Sequence, residues 1–136
     1  MRRKFTLACL PLLSACAGEP PPSLGASDGR LANCPDSPNC VCSFESRESH
    51  RVEPFQADIA QVREILEQLD GAKIVSTGPD YLHAEFSSRI FGFVDDVELL
   101  HDPDSGQTHI RSASRVGRSD LGVNRRRVEQ IRLLLE

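Results

Sequence analysis

Between residues 73 and 113, apolar and polar side chains alternate in short runs separated by turn-forming residues, and no other feature restricts the fold as much. Leu82, Ala84 and Phe86 alternate with Tyr81, His83 and Glu85, which is the two-residue period of a strand with one buried face. A run at 73–77 precedes it across Gly78-Pro79-Asp80, so the two form a hairpin. The next strand covers 93–101, and Asp102-Pro103-Asp104-Ser105-Gly106 turns the chain into a last strand at 107–113. Strands joined by such short turns pair antiparallel.

Two helical patterns bracket this block. Asp58 can cap free amides, with Gln61 three residues on completing a capping box. Ile59, Val62, Ile65, Leu66 and Leu69 then share one face, and Gly71 supplies a left-handed stop. The second helix starts near Ser119 or Asp120, with Val128, Ile131, Leu134 and Leu135 as its apolar stripe. A short strand at 51–55 completes the order β-α-β-β-β-β-α. The expected fold is a single α+β domain, a mainly antiparallel sheet of about five strands covered on one face by two helices.

The N-terminus carries an address. Met1, Arg2, Arg3 and Lys4 lead into a mostly apolar run at 5–13, a secretory n-region and h-region too short to be a spanning helix of roughly 20 residues. Leu13-Ser14-Ala15-Cys16 resembles a bacterial lipobox: small residues fit a peptidase cleft and the Cys16 thiol takes the diacylglyceryl group. The competing reading is an ordinary signal peptide with an incidental cysteine. Two or more acyl chains give stable anchoring. Ala17 rather than Asp after the cysteine resembles outer-membrane sorting, with the domain facing the periplasm. The expected divisions are 1–15 signal peptide, 16–27 lipidated cysteine and flexible Pro/Gly/Ser-rich tether, and 28–136 the domain.

Cleavage removes three cations and no acids. Thirteen Arg plus Lys then face twenty Asp plus Glu, a net charge near −7 that argues against a nucleic-acid partner. Lys73 is the only lysine left, so the remaining cations are guanidinium groups suited to bidentate pairing. In an oxidising compartment Cys34 and Cys40, in Cys34-Pro-Asp-Ser-Pro-Asn-Cys40, read as a disulfide. Cys42 is left over. A metal site from Cys34, Cys40, Cys42 and His50 is the alternative, since soft thiolates suit Cu(I) or zinc, although the spacing matches no standard zinc pattern.

Several segments together resemble one family. They are Leu24-Gly25, Asp28-Gly29-Arg30-Leu31, the Cys34 to Val41 loop, Phe93-Val-Asp-Asp-Val-Glu98, Arg111-Ser-Ala-Ser-Arg-Val-Gly117 and Ser119-Asp-Leu-Gly-Val-Asn-Arg125. The chain from about Leu24 onward is similar to DUF1499 proteins. The resemblance implies an envelope or plastid setting, and because the family's domain is of unknown function it carries over no catalytic residues. Cys42 departs from the Ser more usual there.

Residues 91–110 carry Asp95, Asp96, Glu98, Asp102 and Asp104 with no Lys or Arg, whereas 111–136 carry seven arginines against three acids. If His101 faces Gln107, Val97 lies near Arg111 and Asp95 sits diagonally within reach of its fork. One reading is a structural charge ladder from Asp95, Asp96 and Glu98. The functional reading is a site for an anionic small molecule, or for an envelope protein, formed by Arg111, Ser114, Arg115, Ser119 and Arg125 near a helix N-terminus.

Three further chemistries compete with these. A cation site from Asp95, Asp96 and Glu98 suffers because neighbouring strand residues point to opposite faces. A hydrolase triad of Ser112 or Ser114, His109 or His83 and Asp95 lacks a nucleophile elbow. Cys42 with His50 could form a thiolate pair, or Cys42 could be a small buried apolar group. The sequence therefore points to a non-enzymatic envelope lipoprotein with no cofactor, the alternatives being an envelope hydrolase or metal-dependent enzyme, and a thiol or copper handling protein.

Overall fold

The computed structural model describes residues 17–136; Cys16 and the expected signal peptide lie outside the described residues. The elements are β1 (Cys40–Cys42), α1 (Ile59–Gln68), β2 (Ala72–Thr77), β3 (Tyr81–Ser87), β4 (Val94–Asp102), β5 (Gln107–Ser114) and α2 (Val123–Leu135). They build one five-stranded sheet in the order β1-β5-β4-β3-β2, antiparallel throughout. The α+β order β-α-β-β-β-β-α is the expected one.

The first strand is not where the pattern placed it. β1 is the Cys40–Cys42 run beside β5, whereas Arg51 and Phe55 make only isolated bridges, to Cys42 and Thr108. Three fully buried residues leave no alternation to read, which is why the half-exposed 51–55 run looked more strand-like.

Asp58 caps α1 as expected. Its side chain accepts from the Gln61 amide at 2.9 Å while the Gln61 side chain accepts from the Asp58 amide at 3.0 Å. Gly71 stands two residues past the cap residue Leu69, with φ +81. A Cβ there would meet the Ser87 carbonyl oxygen at 2.7 Å, so the α1–β2 turn packs on the end of β3 only with glycine.

The second helix starts later than expected. Leu121 (φ 53) and Gly122 (φ 80) are left-handed, so the chain turns there instead of coiling. From outside the helix, Asp120 accepts from the Gly122 and Asn124 amides at 2.8 and 3.0 Å, satisfying two orphan donors.

Both helices cover one face. Val62 and Leu66 of α1 and Val128 and Ile131 of α2 pack on Leu82, Ala84, Phe86, Val97, Leu99 and Ile110. Each such side chain stabilises by about 1.5–3 kcal/mol through burial. Leu135 joins this core, but Leu134 is exposed.

The other face is covered too. Leu31, Cys34, Cys40, Cys42 and Ala113 form a second buried cluster there, with Phe44, Tyr81 and Leu100 against it. The sulfurs of Cys34 and Cys40 lie at disulfide distance, 2.07 Å, with Cα atoms 5.6 Å apart. The 17–27 segment, expected as a flexible tether, is seated against this side: the Gly25 amide donates to Glu98 Oε1 at 2.7 Å.

Candidate functional site

The β4–β5 hairpin places the charges, and its register differs from expectation by one residue. Asp102, not His101, faces Gln107, so Glu98 lies opposite Arg111, Val97 opposite Ser112 and Asp95 opposite Ser114. Asp102 organises the tight turn by accepting from the Asp104 amide, the Ser105 hydroxyl and, through its carbonyl, the Gly106 amide. That shortens the loop to four residues. A one-residue slip exchanges faces along a strand, so Arg111 pairs with Glu98 rather than with Asp95.

On the face away from the helices the carboxylates and guanidinium groups neutralise one another. Arg111 Nη1 donates to Glu98 Oε2 at 3.3 Å, and Glu98 Oε1 also accepts from the Tyr81 hydroxyl at 2.8 Å. Glu98 and Arg111 are both buried. Burial pushes the Tyr81 phenol well above its ordinary range, and the Glu98 charge adds to the shift.

Arg115 forms the second knot. It donates to both oxygens of Asp96, at 2.8 and 2.7 Å, and to Glu85. His83 Nε2 lies 2.7 Å from Asp96 Oδ1. Burial works to raise the Asp96 pKa, but hydrogen bonds from Arg115 and His83 outweigh it and hold the carboxyl below the usual range. Two carboxylates therefore face one guanidinium, leaving no surplus positive charge at Arg115 for an incoming anion.

The helix-facing side carries a different arrangement. Arg127 of α2 donates to Asp95 Oδ2 at 2.7 Å and to Asn124 Oδ1 at 2.8 Å, and its guanidinium lies 4.5 Å above the centre of the Phe86 ring. Asn124 is fully buried. Its oxygen accepts from the Ser112 hydroxyl at 2.6 Å, and its amide donates to Ser114 Oγ, Asp120 and the Asn39 carbonyl.

Beside this lattice opens a cleft of about 640 Å³, between the Ser88 to Phe93 loop and the β5–α2 loop. Phe86, Phe93, Val94, Val116 and Val123 wall it. Asp95, Arg127, Ser114, Ser119 and Asp120 contribute its polar edge. Most of the lining is apolar, as in sites for organic ligands.

The five residues expected to grip an anion are dispersed. Arg111 and Arg115 lie on the far face, alongside a second, more polar pocket that Ser114 also borders. Ser114 and Ser119 line the apolar cleft, and Ser119 Oγ accepts from the Leu121 amide. Arg125 is elsewhere, donating to the carbonyls of Arg51 and Ser49. Of the expected ladder, Asp96 and Glu98 share the far face while Asp95 points to the helices.

The triad candidates do not converge. Ser112 and Ser114 are bonded to Asn124, His83 is bonded to Asp96 across the sheet, and His109 pairs with Ser43 and stacks on Phe44 at 4.0 Å. Cys42 is buried, and burial pushes its thiol up, opposite to what a reactive thiolate needs. His50 Nδ1 bonds the Cys40 carbonyl instead of facing that sulfur. Among the described residues no group of three His, Cys, Asp or Glu side chains could hold a metal ion.

Sequence reasoning missed Phe93, Val116, Val123, Asn124 and Arg127 as site residues. The exposed Phe91-Gly92-Phe93 triplet in a loop was the one signal available, since apolar side chains in a loop that do not join a core require another reason to be there.

The fold and the cleft define a class: a single α+β domain whose sheet is covered on both sides, with Asp95, Asp96 and Glu98 of its middle strand β4 paired to arginines and an apolar cleft left open at one end. The chain belongs to the DUF1499 family, proteins of unknown function, whose model matches residues 30–135. No curated protein and no solved structure matches it.

Proposed function

We propose that this chain is a bacterial envelope lipoprotein, anchored through Cys16 in the outer membrane and facing the periplasm, whose domain is a non-enzymatic binding module. Its ligand is amphipathic, an apolar body in the cleft between the β3–β4 and β5–α2 loops and a polar end at the Ser114, Ser119 and Arg127 edge. The observation that carries the reading is the cleft itself, apolar walls around a polar edge where Arg127 is paired with Asp95 and Asp120 accepts from the Gly122 and Asn124 amides. Those contacts hold both carboxylates in the fold, while an apolar wall favours any ligand that can remove its own hydrocarbon from water.

Titration of the purified protein with a dansyl-labelled fatty acid tests the binding reading. Saturable, blue-shifted emission is expected from the natural protein, with loss of binding in Phe93→Asp and Val123→Asp. Both side chains are substantially exposed, so the fold should survive. Equal binding by the variants would rule out the cleft. Labelling cells with radioactive palmitate tests the anchor, and label persisting in Cys16→Ser would disprove it.

A further inference from the structure

Among the described residues, five of the eight exposed large apolar side chains share one end of the sheet, the others being Val75, Leu133 and Leu134. Ile90 is 85% exposed, Phe91 66% and Leu121 84%, with Phe93 and Val123 also open to solvent. All five stand on the two loops that wall the cleft or on the first residue of α2, at one end of the sheet. Ile90, Phe91 and Leu121 are not part of the cleft lining, so ligand binding in the cleft does not account for their exposure. Contiguous exposed apolar side chains of this size mark an interaction surface.

Charge and chain path say what covers it. Arg118 and Arg126 are exposed on the same end, and Arg89 beside Ile90 is paired with Asp70. Arg118 and Arg126, with no carboxylate partner among the described residues, thus flank Leu121 with Asp120 between them, and guanidinium groups beside apolar tips suit phosphate headgroups above acyl chains. Phe91 and Phe93 stack at 5.6 Å, and Phe and Leu side chains are among those that interfacial segments bury at the boundary of headgroups and acyl chains. The N-terminal segment arrives at the same place: a Cβ on Gly18 would meet Val116 Cγ1 at 2.9 Å, and Val116 lines the cleft. Cys16 is two residues before Gly18, at most about 7 Å of chain.

We propose that the Ile90, Phe91 and Leu121 tips form a membrane-docking surface that seats the mouth of the cleft on the bilayer holding the anchor. The orientation rests on lipidation at Cys16. The anchor supplies residence on the membrane, and the loops supply a fixed pose.

The chain contains no tryptophan, so Phe91→Trp introduces a unique fluorophore at the tip and Val75→Trp, on the exposed edge of β2, a control. Each lipidated variant is reconstituted with vesicles of phosphatidylethanolamine and phosphatidylglycerol, with and without brominated acyl chains, and separated by flotation. Both variants are expected to float. The indole of Phe91→Trp should shift its emission to the blue and lose most of its intensity over brominated lipid, and that of Val75→Trp should do neither. Flotation of Phe91→Trp with its indole unquenched overturns the docking surface and leaves the anchor standing. Failure to float overturns both. A blue shift of Phe91→Trp without vesicles that grows with protein concentration overturns it in favour of a second copy on this face, and quenching of Val75→Trp to the same degree overturns the assignment of the face.

Discussion

Arg115 clasps Asp96 with two parallel hydrogen bonds, Nε to Oδ2 at 2.8 Å and Nη2 to Oδ1 at 2.7 Å, both side chains being buried. The pair joins the end of β5 to the middle of β4, and His83 and Glu85 extend it onto β3. Removing one partner strands the other charge inside the protein, which costs about 3–5 kcal/mol. Arg115→Ala should therefore lower the urea midpoint and the melting temperature clearly, and Arg115→Lys should recover only part because the fork is lost. Unchanged melting in Arg115→Ala would mean that this arginine serves something other than the fold.

Tyr81 offers a clean alkaline test because it is the only tyrosine in the chain. Burial, with the Glu98 charge and hydrogen bond added, raises its folded pKa above the ordinary value of 10.0. The stability it contributes is fully present below that ordinary value and is lost as pH rises through the higher folded one. Tyrosinate absorbance should stay absent in the native protein near pH 10, where the urea-unfolded chain is about half ionised. Native and unfolded titrations that coincide would show that Glu98 does not hold the phenol.

How far such details were legible in the sequence differs from element to element. The α1 capping box and the 78–80 hairpin rest on contacts three or four residues apart, and local chemistry decides them. The β4–β5 register turns on how Asp102 folds its own loop, and a one-residue difference there moved Arg111 from Asp95 to Glu98. β1 and the second covered face depend on chain segments meeting across more than sixty residues, as with Gly25 on Glu98. Nor does any local pattern mark Asn124 as the buried centre of five polar partners. The cleft belongs to the same kind, because its two walls are separated by two strands.

At the acid limit Glu45 should be visible. Side-chain hydrogen bonding from Arg47 is the main reason its carboxyl is held down to about 2, with the backbone amides of Arg47 and Cys34 also contributing against the cost of burial. A depressed folded pKa gives stability that is present above the ordinary 4.5 and lost as pH falls through about 2. The melting temperature of the natural protein should drop across that window, and Glu45→Gln should start lower and show a shallower drop. Parallel acid limbs for the two would exclude Glu45 as a source of the acid sensitivity.

Gly18 holds the start of the described chain against Val116 of the cleft wall, and its substitution separates two lengths of chain. Its φ of +71 suits glycine, and a Cβ would meet Val116 Cγ1 at 2.9 Å and Arg115 Cβ at 3.1 Å, so Gly18→Val should lift the first residues off the sheet. Gly25 remains held by Glu98, and neither hydrophobic cluster includes Gly18, so global stability should change by less than about 1 kcal/mol. What changes is reach. With Gly18 docked, the first fixed point of the chain is two residues from the expected acylation site, and with Gly25 as the first fixed point it is nine, a reach of up to about 30 Å. In the lipidated Phe91→Trp protein, adding Gly18→Val should preserve flotation with vesicles but reduce quenching of the introduced indole by brominated lipid, since the loops then meet the bilayer only by their own affinity. Quenching that stays at full strength would show that the apolar tips find the membrane unaided and that the Gly18 contact plays no part in orienting the domain.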